Sequence, residues 1–161
     1  MPAARLGAGL ADVLAPHCDD TVWPRLWAWL LDRWGARRGD PRGHEAARKL
    51  FAAGRLGFDA ARKVAINALW DDMTVAEADA RLWPQTEYLK AALRLGQDAD
   101  ALLAAQGLVA YLDKPAPGAW RDVLRPDGSF VDQPAPATSF YHLAGAIFAL
   151  IARPTSSNAR A

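Results

Sequence analysis

His142 is the residue whose chemistry best suits proton transfer near neutral pH. Imidazole side chains titrate at about pH 6.5, so they can both accept and return a proton under physiological conditions. His142 lies in a segment with helical spacing, where its neighbours three and four residues away are small: Thr138, Ser139, Gly145 and Ala146. A substrate or another helix can approach such a face closely. The alternative is a hydrogen-bonded histidine that only packs in the core.

Glu87 is the second residue whose position could carry chemistry. Pro84 suits the first position of a helix, and Glu87 then lies at the end of the first turn. A carboxylate there stabilises a helix by about 0.3–1 kcal/mol through the helix dipole. Glu87 can also pair with Lys90 or Arg94 on the same helix face. A purely electrostatic role is therefore the alternative to a role in catalysis.

The other histidines give no metal or catalytic pattern. His44 lies at the start of a polar, arginine-rich helix, which is typical of a surface residue. His17 is followed directly by Cys18, Asp19 and Asp20, but adjacent residues cannot all face one ion, and the spacing matches no zinc motif. Glycine-rich phosphate loops, G-x-S-x-G and HExxH motifs are absent from the sequence. We therefore expect neither a metal nor a cofactor.

Composition excludes several functional classes. The chain has 161 residues, 52% of them apolar, and carries 19 basic against 18 acidic side chains. Because the charges are balanced and interspersed, we expect no nucleic-acid partner. No apolar run approaches the roughly 18 residues of a membrane span, and no signal-peptide core follows the N-terminus. Cys18 is the single cysteine, which favours a reducing, cytoplasmic setting without an intramolecular disulfide.

Hydrophobic periodicity predicts an all-α fold. We predict about six helices in antiparallel hairpins, over residues 3–15, 24–36, 40–54, 83–95, 99–113 and 137–152. Asp40 and Asp98 are the expected N-caps of the third and fifth helices. Residues 57–70 are expected to form a loop or short hairpin, because Val64 and Ile66 are β-branched. The proline-rich residues 114–136 are expected to form a long irregular loop at the same end.

Five segments resemble the N-acylglucosamine 2-epimerase family in order and spacing, and together they cover residues 27–152. They are Trp27-Ala28-Trp29-Leu30-Leu31, Val64-Ala65-Ile66-Asn67-Ala68, Arg81-Leu82-Trp83-Pro84-Gln85-Thr86-Glu87, Trp120-Arg121-Asp122 with Asp127-Gly128, and Ser139-Phe140-Tyr141-His142. The second and third are the most specific. The chain is most similar to the mannose and mannose-6-phosphate isomerase branch of the family.

The resemblance implies part of an (α/α)6 toroid, in which two concentric rings of helices surround a central funnel that binds the sugar. Residues 27–153 would form the C-terminal half of this barrel. Residues 1–26 are a divergent N-terminal segment, and residues 154–161 are expected to be a disordered tail.

The resemblance also implies the chemistry, which is aldose–ketose isomerisation or C2 epimerisation of mannose, mannose 6-phosphate or an N-acylglucosamine. The ring opens and a proton moves at C2 through an enediol-type intermediate. His142 would be the catalytic acid and base, and Glu87 would bind or polarise the substrate. The expected partner is thus a monosaccharide or sugar phosphate. The remaining substrate-binding candidates are Arg81, Trp83, Asn67 and Tyr141.

One departure from the family pattern keeps a second hypothesis open. The family usually carries Pro-Gly-His-x-x-Glu directly before Trp-Ala-Trp-Leu-Leu. Here Trp23 stands in place of that histidine and Leu26 in place of that glutamate. The alternative is a non-catalytic helical module that binds a sugar or a protein. An incomplete toroid would also leave apolar helix faces uncovered, so we expect self-association.

Overall fold

Five α-helices make up most of the residues described by the computed structural model, which are 21–22, 24–113 and 116–153. The helices are α1 (Pro24–Arg38), α2 (Pro41–Arg55), α3 (Leu82–Arg94), α4 (Asp98–Leu112) and α5 (Ser139–Ile151). Each matches a predicted helix to within two residues at either end. The further helix predicted over 3–15 and the tail from residue 154 lie outside the described residues.

Short strands occupy the loops, so the fold is mostly helical rather than all-α. The strands are β1 (Thr21–Val22), β2 (Phe58–Asp59), β3 (Val64–Ala65), β4 (Ala68–Trp70), β5 (Val75–Glu77), β6 (Ala80–Arg81) and β7 (Val123–Leu124). They form three antiparallel sheets in the orders β1-β4-β5, β2-β3 and β6-β7. The hairpin predicted within 57–70 is confirmed by β2 and β3. The loop before α5 was expected to be irregular throughout, but β7 orders part of it.

The turn between α1 and α2 follows its sequence signals. Asp40 is the N-cap of α2 and accepts a hydrogen bond from the Arg42 N–H at 3.0 Å, with Pro41 as the first helical residue. The two helices then approach each other at Gly35 and Gly43, where a Cβ on Gly43 would lie 2.7 Å from the Gly35 Cα. Only glycine permits this backbone contact, which fixes the hairpin.

The N-terminus of α4 differs from its prediction by one residue. Gln97 is the N-cap, and Asp98 is the first helical residue. Asp98 therefore contributes as a carboxylate in the first turn, facing the positive end of the helix dipole.

Tyr88 of α3 lies at the centre of the core. Its ring stacks between Phe51 and Phe58, with each pair of centroids 5.0 Å apart. Its hydroxyl donates a hydrogen bond to Asp100 at 2.6 Å, so the buried polar atom is satisfied. Leu82 and Leu89 of the same helix are completely buried. Helix α3 contacts each of the other four helices, which are α1, α2, α4 and α5.

Helices α1, α3 and α5 run in the same general direction. In the pair α1 and α3, and again in the pair α3 and α5, a contact later in one helix is also later in the other. The contacts are Trp29 with Glu87, Asp32 with Arg94, Glu87 with His142, and Lys90 with Gly145. The first turns of α3 and α5 therefore lie at one end of the fold. Their preceding loops, 56–81 and 113–138, meet there in the β6-β7 sheet, where Ala80 pairs with Leu124.

We predict that Gly107→Ala lowers the free energy of unfolding by about 1–3 kcal/mol, the usual cost of overpacking. A Cβ at Gly107 in α4 would lie 1.9 Å from the Lys63 carbonyl oxygen, so the helix or the β3 loop must move. The control is Gly145→Ala in α5, where a Cβ meets its nearest neighbour at an ordinary 3.7 Å. Because alanine has a better helix propensity than glycine, that variant should be unchanged in stability or stabilised by up to about 1 kcal/mol. Chemical denaturation measures both, and equal effects would refute the explanation.

Candidate functional site

The Glu87 carboxylate lies where three helices meet. It comes from the second turn of α3, because that helix begins at Leu82 rather than at Pro84, and its side chain is only 1% exposed. Its Oε1 accepts a hydrogen bond from Lys90 Nζ at 2.7 Å and lies 2.6 Å from His142 Nδ1 of α5. Its Oε2 accepts from the indole N–H of Trp29 in α1. Both oxygens are therefore engaged, and the buried charge is paired.

The contact with Glu87 orients the His142 ring and favours one of its two neutral tautomers. Its side chain is 14% exposed. An ionised carboxylate can only accept hydrogen bonds, so Nδ1 carries the proton in the contact with Glu87. In the neutral ring, Nε2 is then the nitrogen that keeps its lone pair. This arrangement can take up a proton at Nε2 while Glu87 stabilises the resulting imidazolium.

Two predicted sugar-binding aromatic residues flank His142. The Tyr141 ring centroid lies 3.9 Å from that of His142, and the Trp83 centroid lies 5.9 Å from it. Tyr141 is 66% exposed, whereas Trp83 is half-buried. The structure thus brings together four of the predicted site residues: His142, Glu87, Trp83 and Tyr141. Their roles toward a substrate stay predictions.

Asn67 and Arg81 lie together where the loop 56–81 enters α3. The Asn67 side chain accepts a hydrogen bond from the Arg81 backbone N–H at 2.7 Å and donates one to Glu77 at 2.6 Å. The Asn67 amide, only 5% exposed, therefore fixes this loop against the start of α3. The Arg81 guanidinium is about half exposed and lies 3.3 Å from the Asp122 carboxylate. Substrate binding by either residue stays a prediction.

Asp122 is a weak partner for Arg81. Burial raises the pKa of the Asp122 carboxyl, although the nearby Arg81 guanidinium acts in the opposite direction. The contact distance of 3.3 Å is also long for a charge-assisted hydrogen bond. The Arg81 guanidinium can therefore also bind another polar or anionic group, since it is about half exposed.

Lys90 was predicted only as an electrostatic partner of Glu87, and Trp29 was assigned no role at the site. The i, i+3 spacing of Glu87 and Lys90 was the available signal for their contact. Trp29 is 58 residues from Glu87 in the chain, so no local pattern could predict their hydrogen bond. The Lys90 Nζ also lies 4.2 Å from the centre of the Trp29 ring, in a cation–π contact.

A second buried charge joins the same helices farther along. Asp32 of α1 lies between His44 Nδ1 at 2.6 Å and Arg94 Nε at 2.5 Å. His44 is about half exposed, in keeping with a surface position. Its ring nonetheless ties α2 to α1, and the Arg94 contact ties α1 to α3. The contact between Asp32 and Arg94 supports the relative placement of Trp29 and Glu87, which lie on the same two helices.

Among the residues that the structure describes, no group of three His, Cys, Asp or Glu side chains is placed to hold a metal ion. His17, Cys18, Asp19 and Asp20 lie outside that part of the chain. None of the helices in the described ranges is long and apolar enough to cross a membrane.

This architecture is shared with part of a solved sugar isomerase. A crystal structure of D-mannose isomerase superposes with a TM-score of 0.69 at 21% sequence identity, covering 80% of this chain and 36% of that one. The similarity establishes the fold: the described helices correspond to part of an (α/α)6 toroid.

The chain belongs to the N-acylglucosamine 2-epimerase (GlcNAc 2-epimerase) family, whose sequence pattern matches residues 26–146. It is 46% identical over 135 residues to mannose-6-phosphate isomerase of Rhizobium meliloti (strain 1021), covering 77% of this chain and 35% of that protein. The chain spans about a third of the length of both relatives, 35% and 36%.

We predict that Glu87→Gln lowers the free energy of unfolding by about 3 kcal/mol, because Lys90 is left buried without its counter-charge. The matched control is Glu45→Gln, which removes the same kind of charge from an exposed pair with Lys49. That variant should unfold as the wild type does. Urea denaturation at neutral pH measures both changes. A wild-type stability for Glu87→Gln would show that the buried network contributes little.

Proposed function

We propose that this chain carries the proton-transfer centre of a sugar isomerase or epimerase, with His142 as acid and base. The observation that supports this most is the bond between His142 Nδ1 and the buried Glu87 carboxylate, in a chain of the N-acylglucosamine 2-epimerase family. The proposed substrates are mannose, mannose 6-phosphate or an N-acylglucosamine. In this proposal residues 27–153 form the C-terminal half of the barrel.

The proposed step begins with the open-chain aldose. His142 Nε2 takes the proton from C2, and the C2–H electron pair forms a double bond between C1 and C2. The carbonyl electrons at C1 pass to O1, which gives an enediolate. Return of the proton to C1, with transfer of the O2 proton to O1, yields the ketose. Return to the opposite face of C2 yields the epimer and requires a second donor.

The other site residues have distinct proposed roles. Arg81 binds the developing oxyanion or a phosphate, since its guanidinium is half exposed and only weakly paired. Trp83 and Tyr141 hold the sugar beside His142. Asn67 positions Arg81 through its hydrogen bond to the Arg81 backbone N–H. Glu87 orients His142 and does not itself contact the substrate.

We predict that the chain exchanges the C2 proton of at least one of the three sugars with deuterium from D2O, and that His142→Ala abolishes the exchange. Nuclear magnetic resonance or mass spectrometry of the recovered sugar detects the deuterium. General acid–base catalysis contributes about 10²–10⁴-fold, so the loss should be of that size.

The control is His44→Ala, which removes an imidazole that contacts Asp32 and should leave the exchange rate unchanged. Absence of exchange from the wild-type chain at high concentration would contradict activity in this chain. Exchange that survives in His142→Ala would contradict the assigned base.

A non-catalytic binding module is the second candidate, and the sequence favours it at one place. Trp23 and Leu26 occupy the positions where the family carries histidine and glutamate. A chain without that second histidine could still bind a sugar beside Trp83 and Tyr141. Sugar binding in calorimetry without C2 exchange would support this candidate, whereas exchange would refute it.

We also propose that the chain self-associates through α5. The face of α5 that contains Leu143 and Ala146 is buried against α3. The opposite face is apolar as well but exposed: Phe140 is 59% exposed, Phe148 69% and Ile151 73%. The helix carries no acidic or basic residue other than His142. A second copy can therefore cover this face without burying an unpaired charge.

We predict that Phe148→Glu with Ile151→Glu shifts the chain toward monomer in sedimentation velocity, because two carboxylates would have to be desolvated at the contact. Ala110→Glu with Ala119→Glu adds the same two charges at exposed positions of α4 and the following loop and is the control. A monomeric wild type at all concentrations would contradict self-association, and an equal shift in the control would assign it to net charge alone.

A further inference from the structure

Lys90 is the cation that keeps the site charge in balance. Its Nζ donates to Glu87 Oε1 at 2.7 Å, and its side chain is only 11% exposed. The ammonium lies 4.2 Å from the centre of the Trp29 ring. On the α5 side it faces Gly145, where an added Cβ would lie at an ordinary 3.7 Å from Nζ. Three helices thus enclose one ammonium group beside the Glu87–His142 pair.

The charge on Lys90 determines what Glu87 can do. A carboxylate that is 1% exposed is strongly disfavoured unless a cation compensates it, and without one it takes up a proton. A protonated Glu87 could donate a hydrogen bond to His142 Nδ1 instead of accepting one. The imidazole would then carry its proton on Nε2, which would lose the lone pair that a base needs.

We propose that Lys90 is a positioning residue that selects the tautomer of His142. By holding Glu87 as a carboxylate, Lys90 keeps the proton of the neutral imidazole on Nδ1 and the lone pair on Nε2. The catalytic consequence rests on the proposed isomerase function. The effect on the tautomer does not, since it follows from the contacts among Lys90, Glu87 and His142 alone.

The test is the ¹⁵N spectrum of the His142 imidazole in ¹⁵N-histidine-labelled chain, above the pH at which the ring becomes neutral. Two-bond couplings to the ring carbon protons distinguish the tautomers. We expect the Nδ1–H form in the wild type. Lys90→Met should move His142 toward the Nε2–H form, and Lys90→Arg should restore Nδ1–H because it restores the charge.

Two further variants separate charge from other effects. Lys90→Gln keeps a hydrogen-bond donor without the charge, and it remains informative if methionine at this buried position prevents folding. We expect it to behave like Lys90→Met. Lys49→Met removes an exposed lysine paired with Glu45, and it should leave the His142 spectrum unchanged. An Nδ1–H tautomer retained in Lys90→Gln or Lys90→Met would overturn the proposal.

The kinetic arm uses the same variants in the C2 exchange assay. Lys90→Met should lower kcat about 10²-fold with KM nearly unchanged, since the lost effect is on the base rather than on substrate binding. Lys90→Arg should recover most of the rate. A raised KM with unaltered kcat would overturn the positioning role. If the wild type shows no exchange, the proposed function fails, while the spectra still decide the role of Lys90.

Discussion

Burial of the Glu87 carboxylate is the constraint on which the rest of this structure depends. An ionised group that is 1% exposed must be fully hydrogen-bonded and paired with a cation, or it destabilises the fold. Trp29, Lys90 and His142 satisfy it, and they come from α1, α3 and α5. The same contacts that stabilise the packing of these helices therefore set the geometry of the histidine. The Glu87 carboxylate thus contributes both to the packing of the three helices and to the orientation of His142.

The segment from Arg81 to Glu87 contributes both to the packing of the core and to the site around His142. Leu82 is completely buried in the core, and Thr86 donates its hydroxyl hydrogen bond to the Trp83 carbonyl at 2.7 Å. The Gln85 amide accepts from the Ala65 N–H and donates to the Ala65 carbonyl, both at 2.7 Å. This motif thus identifies the family and also joins the loop, the helix and the site.

Much of the fold followed from local sequence signals, whereas the network around Glu87 did not. Apolar spacing and caps such as Asp40 predicted the helices, because these effects act within one or two turns. Family motifs assigned Glu87 and His142 to one site, and in the structure the two side chains are in contact although 55 residues separate them. The contact with Trp29 and the burial of Lys90 depend on how α1, α3 and α5 pack. Such packing produces no periodic pattern in a single sequence. The hydrogen bond of the Asn67 side chain to the Arg81 backbone could not be predicted from local pattern either.

The hydrogen bonds of Gln85 have a consequence for variation within the family. Its amide bonds to Ala65 in β3 and to the Arg81 carbonyl at the end of the loop, and so it fixes both ends of the segment between these two residues on α3. The turn at Asp71–Thr74, which joins β4 to β5, lies within this segment and is mostly exposed. Loop closure depends only weakly on length, so residues can be inserted at that turn without displacing Glu87. Insertions there would therefore change the exposed end of the loop while the contact between Glu87 and His142 stays unchanged.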